Sequence, residues 1–169
     1  MSSLDGAHVV LGVTGGIAAY KAIDVSRRLV DGGAHVVPIL TEGAEHFVGR
    51  TTFDALASEK VQTTLWDESS PIPHTTLGQR TDLIVVAPAT ARLLADYRIG
   101  RSSDLLTATL IATRAPVLVA PAMHTEMCEH PAVQDNIAVL AERGVHLVGP
   151  EAGRLAGGDT GFGLSLIHI

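Results

Sequence analysis

The sequence predicts an α/β protein in which a doubly wound parallel sheet, Rossmann-like or flavodoxin-like, lies between two layers of helices. Apolar segments typical of buried strands alternate along the chain with segments typical of helices. One of them, Asp82–Ala87, is the apolar run that a strand covered on both faces requires. Hydrophobic residues make up 46% of the 169 residues but aromatic residues only 4%, so the core is expected to consist of Val, Leu, Ile and Ala. Together these observations indicate a three-layer fold.

Five strands and the helices between them can be placed on the chain. The expected strands are residues 7–13, 34–40, 82–87, 116–120 and 145–148. The expected helices are residues 17–30, 43–48, 52–58, 90–97, 103–114 and 131–143. Residues 59–81 show no regular periodicity. Because there is no internal repeat and no linker, residues 1–163 are expected to form one domain.

The charge and the cysteine content exclude several classes of function. The chain has 18 acidic and 12 basic residues, a net charge of −6 and no basic cluster, so a nucleic-acid partner is not expected. No apolar run reaches the length of a membrane span, and Met1–Asp5 has no signal-peptide character. The single cysteine, Cys128, cannot form an intrachain disulfide and fits a reducing compartment. A cytoplasmic location without membrane association is therefore expected.

The last six residues, Leu164–Ile169, do not resemble the end of such a domain. One codon reading of this segment, CTG-TCT-CTT-ATA-CAC-ATC, matches the transposase mosaic end used in sequencing libraries. We expect that residues 164–169 are a non-native tail and that the natural domain continues beyond residue 163. A short native apolar tail that packs on a neighbour is the alternative.

Small and hydroxyl-bearing residues follow the first three expected strands. The turn Gly12–Ile17 places a threonine and two glycines between a strand and a helix, where backbone N–H groups can bind a phosphate. Its spacing is not G-x-G-x-x-G, so NAD is not favoured. Thr41 follows the second strand and Thr90 the third, although either hydroxyl alone is explained equally well as a helix cap. Because these three strand ends meet at one edge of the sheet, together they favour a nucleotide-like ligand.

Histidines are the main candidates for acid–base chemistry. His74 lies in an expected loop before the third strand, where an imidazole can act as an acid or a base near neutral pH. Any one of the eight histidines, taken alone, is more often solvated and inert. No histidine pair shows metal-ligand spacing, so no metal site is expected. Cys128 has no base beside it in the sequence and is interpreted as a small buried residue.

The loop Pro121–Met127, after the fourth expected strand, resembles the P-x-M-N-x-x-M substrate clamp of the homo-oligomeric flavin-containing cysteine decarboxylases. His124 stands where most members have Asn. The resemblance covers roughly residues 7–163 in family order, and its further segments are Gly12–Lys21, His74, Ala87–Ala91, Gly100 with Asp104–Thr107, His130-Pro131 and Gly158–Gly161. Within the family, the chain is most similar to members that decarboxylate 4′-phosphopantothenoylcysteine in coenzyme A synthesis as one domain of a bifunctional protein.

The resemblance implies an FMN-dependent carboxy-lyase that converts 4′-phosphopantothenoylcysteine to 4′-phosphopantetheine. In this family the flavin oxidises the thiol-bearing carbon to a thioaldehyde, which permits loss of CO₂, and then reduces the resulting ene-thiol. The resemblance assigns catalysis to His74 and His124, and substrate binding to Ala122, His124 and Met127. It assigns cofactor binding to Thr14, Gly15, Gly16, Ile17, Thr41, Phe47, Pro88, Ala89, Thr90 and Thr107. The family site lies between subunits of a trimer, so a trimer or a multiple of trimers is implied and a monomer is expected to be inactive.

The sequence departs from the family at a second position besides His124. The family's proton-donating cysteine precedes Gly-Asp, whereas this chain has Gly157 before Gly158-Asp159. His124 and Cys128 are the candidates to replace that donor.

Three alternatives stay open at this point. A peptide-processing relative would oxidatively decarboxylate a carboxyl-terminal cysteine and stop at the ene-thiol, and Gly157 favours it. A non-catalytic flavin-binding regulatory subunit usually lacks the histidine or the clamp, whereas His74 is present here. Flavin prenyltransferases share the fold but lack both features.

Overall fold

A five-stranded parallel sheet forms the centre of the computed structural model, which describes residues 4–66, 70–149, 151–154 and 160–164. The strand order is β2-β1-β3-β4-β5, the flavodoxin-like arrangement. The strands are β1 His8–Val13, β2 His35–Leu40, β3 Leu83–Ala89, β4 Val117–Pro121 and β5 His146–Leu147. Strand order and parallel pairing confirm the predicted fold class.

Helices connect the strands and cover both faces of the sheet. The α-helices are α1 Lys21–Asp31, α2 Arg50–Leu56, α3 Pro73–Arg80, α4 Ala91–Ile99, α5 Leu105–Ala112, α6 Thr125–Glu129 and α7 Pro131–Glu142. Short 3₁₀ helices at Ile17–Tyr20 and Ala44–His46 follow β1 and β2. In the described ranges no helix combines the length and the apolar character that crossing a membrane requires.

The core has two halves because successive side chains of a strand point to opposite faces of the sheet. Val9, Leu11 and Val13 of β1 pack on one face with α1, α2 and the fully buried Phe53. Val10 and its counterparts on β2 to β4 pack on the other face with α4, α5 and α7. Burial of these aliphatic side chains provides most of the stabilisation of the fold.

Glycine allows two elements to approach α5 closely. A Cβ atom at Gly12 of β1 would lie 2.5 Å from a methyl group of Leu106. A Cβ atom at Gly78 of α3 would lie 2.9 Å from the backbone of Ala112. The contact between α3 and α5 therefore requires glycine, and it fixes the position of the helix that carries His74.

The boundaries of several predicted elements were wrong. The predicted helix over residues 17–30 begins as the 3₁₀ turn Ile17–Tyr20, as helix ends often do, and becomes α-helical at Lys21. The third strand, expected to end at Ala87, continues to Ala89. The last carbonyl groups of β3 accept hydrogen bonds from the segments that follow the two neighbouring strands. The Thr14 N–H, after β1, donates to the Pro88 carbonyl, and the Ala122 N–H, after β4, donates to the Ala89 carbonyl. Proline is rare inside central strands because it cannot donate a backbone hydrogen bond. Pro88 in the sequence therefore argued against a strand that continues to Ala89.

Regular structure occurs in two segments where none was predicted, residues 59–81 and the residues that follow β5. Within residues 59–81 the structure has α3, which starts with Pro73 at its first position, where a proline is well tolerated. Beyond β5, which was expected to be the last strand, β6 Glu151–Arg154 and β7 Thr160–Leu164 form an antiparallel pair. Glycine-rich segments of this kind carry little strand signal. Gly157, Asp159 and residues 165–169 lie outside the described residues.

Candidate functional site

A cleft lies at the carboxyl edge of the sheet, between the turns that follow β1 and β2 and the N-terminal ends of α4 and α5. It encloses about 1320 Å³ of space, part of which is open to solvent. In parallel α/β sheets this edge is where ligands bind. The residues that line it are Thr14, Gly15, Thr41, Glu42, Gly43, His46, Thr90, Ala91, Arg92, Leu93, Asp96, Ser103, Asp104, Thr107 and Met127.

Thr14 connects the two central strands at the floor of the cleft. Its buried hydroxyl donates a hydrogen bond to the Pro88 carbonyl at 2.6 Å and accepts one from the Thr90 N–H at 3.1 Å. The Thr14 N–H also donates to Pro88, at 3.3 Å. The side chain thereby fixes the turn after β1 against the turn after β3. Its predicted contact with a cofactor would use the remaining acceptor capacity of the hydroxyl.

The two glycines of the β1 turn, Gly15 and Gly16, differ in whether packing within the chain requires them. A Cβ atom at Gly15 would lie 2.6 Å from the backbone of Gly43, so the turns after β1 and β2 approach this closely only because residue 15 lacks a side chain. A Cβ atom at Gly16 would meet nothing closer than the Thr90 methyl group, at 3.8 Å. Packing within the chain therefore requires Gly15, whereas the space beside Gly16 is open.

Hydroxyl and carboxylate groups cap the helices that open on the cleft. The Thr41 hydroxyl accepts a hydrogen bond from Ala44 at 3.3 Å, and the Thr90 hydroxyl caps α4 by accepting one from Leu93 at 3.3 Å. Asp104 and Thr107 form a reciprocal capping box at the start of α5. These bonds define where α4 and α5 begin, and the N-terminal end of α4 carries partial positive charge next to the cleft.

The cleft contains charges of both signs. Arg92 lies in the first turn of α4 and is 85% exposed, and its nearest charged partner, Asp96, is 3.7 Å away. At that distance and exposure the ion pair contributes little, so the guanidinium can turn to an anionic ligand. His46, at the end of the 3₁₀ helix after β2, lines the opposite wall, and Glu42 and Asp104 supply negative charge.

The structure brings six of the predicted site residues together. Thr14, Gly15, Thr41, Thr90, Thr107 and Met127 line the cleft. Ala89 is fully buried in the core, whereas Ile17 and Phe47 are exposed by 60% and 48%. Gly16, Ile17, Phe47, Pro88, Ala89, Ala122 and His124 do not line the cleft. The binding roles given to all of these residues stay predictions.

The loop after β4 is attached to the edge of the cleft at two points. The Ala122 N–H donates to the Ala89 carbonyl at 3.0 Å, and Met127 lines the cleft. His124 lies between these points, at the N-cap of α6, and its Nδ1 atom contacts the Glu126 carboxylate. Hydrogen bonds from its own backbone N–H and from His124 lower the pKa of the Glu126 carboxyl group, which therefore stays ionised at neutral pH.

His74 does not lie in the cleft of its own chain. It occupies the first turn of α3 and is half-buried, and it is absent from the residues that line the cleft. Its Nδ1 atom is buried and has no hydrogen-bond partner among the described residues. A buried polar atom without a partner is costly and calls for an explanation beyond packing.

Cys128 is a buried thiol on α6. Burial, followed by the negative charge of Glu129, raises the pKa of the Cys128 thiol, so the protonated form is favoured at neutral pH. These properties are those of a packing residue rather than of a nucleophile. The described residues contain no group of three or more His, Cys, Asp and Glu side chains placed to hold a metal ion.

Sequence reasoning missed nine of the fifteen residues that line the cleft. The missed residues are Glu42, Gly43, His46, Ala91, Arg92, Leu93, Asp96, Ser103 and Asp104. The spacing of Asp104 and Thr107 is that of a capping box and could have marked the second helix end. Charged residues such as Arg92 and Asp96 look like any solvated helix face in the sequence, and only the convergence of α4 and α5 gives them a role.

Comparison with known proteins places this geometry in a family. The family model described as Flavoprotein matches residues 1–165. The chain belongs to the Flavoprotein family. Among its relatives is the coenzyme A biosynthesis bifunctional protein CoaBC of Mycobacterium bovis, 54% identical over 156 residues, or 92% of this chain. The chain spans 37% of the length of that relative.

Solved structures of flavoproteins show the same fold. A PPC decarboxylase mutant, C175S, complexed with pantothenoylaminoethenethiol has a TM-score of 0.83 and 28% identity, over 95% of this chain and 91% of the other. The FMN-dependent cysteine decarboxylase SpaF has a TM-score of 0.80 and 29% identity, over 94% and 91%. The predicted resemblance to flavin-containing cysteine decarboxylases is confirmed.

We predict that Thr14→Val destabilises the fold. Valine has the shape of threonine but leaves the Thr90 N–H without its partner and weakens the bonding of Pro88, so the free energy of unfolding should fall by about 1–3 kcal/mol. Urea unfolding, monitored by circular dichroism, measures the free energy of unfolding. Thr14→Ser keeps the hydroxyl and should be closer to wild type. A Val variant no less stable than the Ser variant would contradict the role given to this hydroxyl.

Proposed function

We propose that this chain binds FMN in the described cleft and decarboxylates 4′-phosphopantothenoylcysteine to 4′-phosphopantetheine in coenzyme A synthesis. The observation that carries the proposal is the cleft itself: a carboxyl-edge site with glycine turns, capped helix ends and an adjoining P-A-M-H-T-E-M loop, in a chain 54% identical to CoaBC. Its name describes that relative as bifunctional, so this chain would supply one of two activities. A cytoplasmic location stays a prediction.

The residues of the cleft fit a flavin nucleotide. The open space beside Gly16 leaves room for a ligand next to the β1 turn. The phosphate would lie where Arg92 and the N-terminal end of α4 offer positive charge, with the hydroxyl of Thr41 on the facing wall. Glu42 and Asp104 add acceptors for ribityl hydroxyl groups.

The chemistry divides between the cofactor and the chain. When bound, the flavin supplies the oxidation and reduction at the thiol-bearing carbon, which lets a simple carboxylate leave as CO₂. The loop Pro121–Met127 would hold the substrate carboxylate through His124 and cover the site with Met127. Holding the carboxylate in line is an orientation effect, which can account for a large part of a rate enhancement. His74 would transfer the proton at the substrate thiol.

We further propose that the site is completed by a second copy of this chain, in a trimer or a multiple of trimers. His74 is outside the cleft of its own chain, and its Nδ1 atom is unpartnered in the described residues. Ile72, the residue before α3, and Ile111 of α5 are exposed by 52% and 49%, close to the helix that carries this histidine and on the helix that packs against it. Apolar exposure of this kind beside an incomplete site favours contact with another copy.

The second candidate function is oxidative decarboxylation of a peptide's carboxyl-terminal cysteine. Gly157, in place of the family's proton-donating cysteine, favours it. The two candidates differ in their product, since the peptide type releases the ene-thiol and the coenzyme A type the reduced thiol.

We predict that Arg92→Ala weakens FMN binding by about five- to tenfold and leaves riboflavin binding unchanged, because the guanidinium would contact only the phosphate. Fluorescence titration of the apoprotein with each flavin measures both affinities. Arg27→Ala is the matched control, since Arg27 and Asp31 form an exposed i,i+4 pair at the same distance, 3.7 Å, on α1. Equal losses for FMN and riboflavin would contradict a phosphate contact.

We predict that His74→Gln lowers kcat for 4′-phosphopantothenoylcysteine by about 100-fold or more, because a proton-transfer group is removed. FMN content should stay at the wild-type level, since this residue does not line the cleft of its own chain. Product formation is followed by mass spectrometry, and sedimentation velocity gives the assembly state. Full activity of the variant, or full activity of a wild-type monomer, would contradict the proposed site.

A further inference from the structure

One carboxylate in the wall of the cleft lies between two arginines. Asp96, on α4, lines the cleft, and its side chain is only 13% exposed. Its Oδ2 atom is 3.7 Å from Nε of Arg92, and its Oδ1 atom is 3.8 Å from Nη1 of Arg101. Both distances are too long for hydrogen bonds, so the two contacts are ion pairs only. Each oxygen atom of Asp96 therefore faces a different guanidinium group.

The end of α4 places Arg101 beside this carboxylate. The helix ends at Gly100, whose φ of 73° lies in the left-handed region that glycine adopts without strain. In the resulting turn the Arg101 N–H donates a hydrogen bond to the Asp96 carbonyl at 2.8 Å. Arg92 lies four residues before Asp96, the spacing at which side chains on a helix are neighbours. The backbone thus keeps both arginines within reach of the same carboxylate.

Asp96 differs from the two other carboxylates that line the cleft. The Asp104 carboxylate accepts hydrogen bonds from the N–H and the hydroxyl of Thr107, at 2.7 and 2.8 Å, so it has close partners in its own helix turn. Glu42 is exposed to solvent. Within the described part of the chain, the Asp96 carboxylate accepts no hydrogen bond and has only the two arginines as ion-pair partners. A mostly buried carboxylate is costly without a cationic partner.

The exposure of the three side chains shows which of them depends on these contacts. Arg92 and Arg101 are 85% and 65% exposed, so water solvates either guanidinium group when it leaves Asp96. Asp96 has little access to water and needs one of the two arginines at any time. Arg92 can therefore turn to an anion in the cleft at low cost while Arg101 stays with Asp96. Without Arg101, the same movement of Arg92 would leave the carboxylate unpaired.

We propose that Asp96 and Arg101 are positioning residues that control how readily Arg92 binds the FMN phosphate. Asp96 competes with the phosphate for Arg92, and Arg101 relieves this competition because it keeps Asp96 paired. Both residues act through Arg92 and do not themselves contact the phosphate. The inference rests on the proposed FMN site.

Fluorescence titration of the apoprotein with FMN and with riboflavin, at one fixed ionic strength, tests this control. Asp96→Asn should tighten FMN binding about threefold and Arg101→Ala should weaken it about threefold, sizes expected for ion pairs with exposed partners. Riboflavin has no phosphate and should bind each variant as it binds wild type. The variant that carries both substitutions should bind FMN as tightly as Asp96→Asn alone, because without the carboxylate there is no competition for Arg101 to relieve.

Two further variants serve as controls, and circular dichroism checks that every variant is folded. Arg101→Lys keeps the cation and should bind FMN like wild type. Asp31→Asn removes the carboxylate of an i,i+4 pair with Arg27 on α1, at the same distance of 3.7 Å, and should leave FMN binding unchanged.

The outcomes separate this inference from the proposed function. If Arg101→Ala weakens FMN binding equally with and without Asp96→Asn, the effect is that of a lost charge alone and the inference is overturned. Unchanged or weaker FMN binding in Asp96→Asn would also overturn it. An apoprotein that binds neither flavin would overturn the FMN site and this inference with it. FMN binding with the expected coupling, but without decarboxylation of 4′-phosphopantothenoylcysteine, would support the inference and overturn the proposed reaction.

Discussion

The hydrogen bonds that join the ends of β1 and β3 are the constraint on which the rest of the site depends. Thr14 provides it with a buried hydroxyl that bonds both Pro88 and Thr90. The Thr90 hydroxyl in turn caps α4, and the neighbouring Ala89 carbonyl holds the loop after β4 through Ala122. The β1 turn, the start of α4 and the loop Pro121–Met127 are thus connected by a chain of hydrogen bonds. A shift of Thr14 would displace the walls of the cleft together.

Electrostatics determine what the cleft can accept. The N-terminal end of α4 and the weakly paired Arg92 favour an anion, although the chain carries a net charge of −6. Local charge and helix orientation therefore affect ligand binding at the cleft more than the net charge of the chain does. Beside this cleft, the loop Pro121–Met127 was predicted to hold a second anion, the substrate carboxylate. Two anionic groups, a phosphate and a carboxylate, are what an FMN-dependent carboxylate decarboxylase must hold at once.

The central fold was predictable from the sequence because it depends on periodicity and apolar runs. Strands such as Asp82–Ala87 are visible in the sequence as soon as both faces are assumed to be buried. The extension of β3 to Ala89 was not, since hydrogen bonds from Thr14 and Ala122 outweigh the usual effect of a proline in a strand. The interest of the loop Pro121–Met127 came from its resemblance to the family, not from its own periodicity. The position of Arg92 in the cleft and the contact between His124 and Glu126 could be recognised only from the three-dimensional structure.

Anaerobic visible spectroscopy of the purified chain tests the central claim most directly. The account predicts a bound-flavin spectrum that bleaches when 4′-phosphopantothenoylcysteine is added and then recovers as 4′-phosphopantetheine forms. Permanent bleaching would indicate an ene-thiol product and the peptide type of chemistry. A folded, assembled chain that binds no flavin at all would contradict the account.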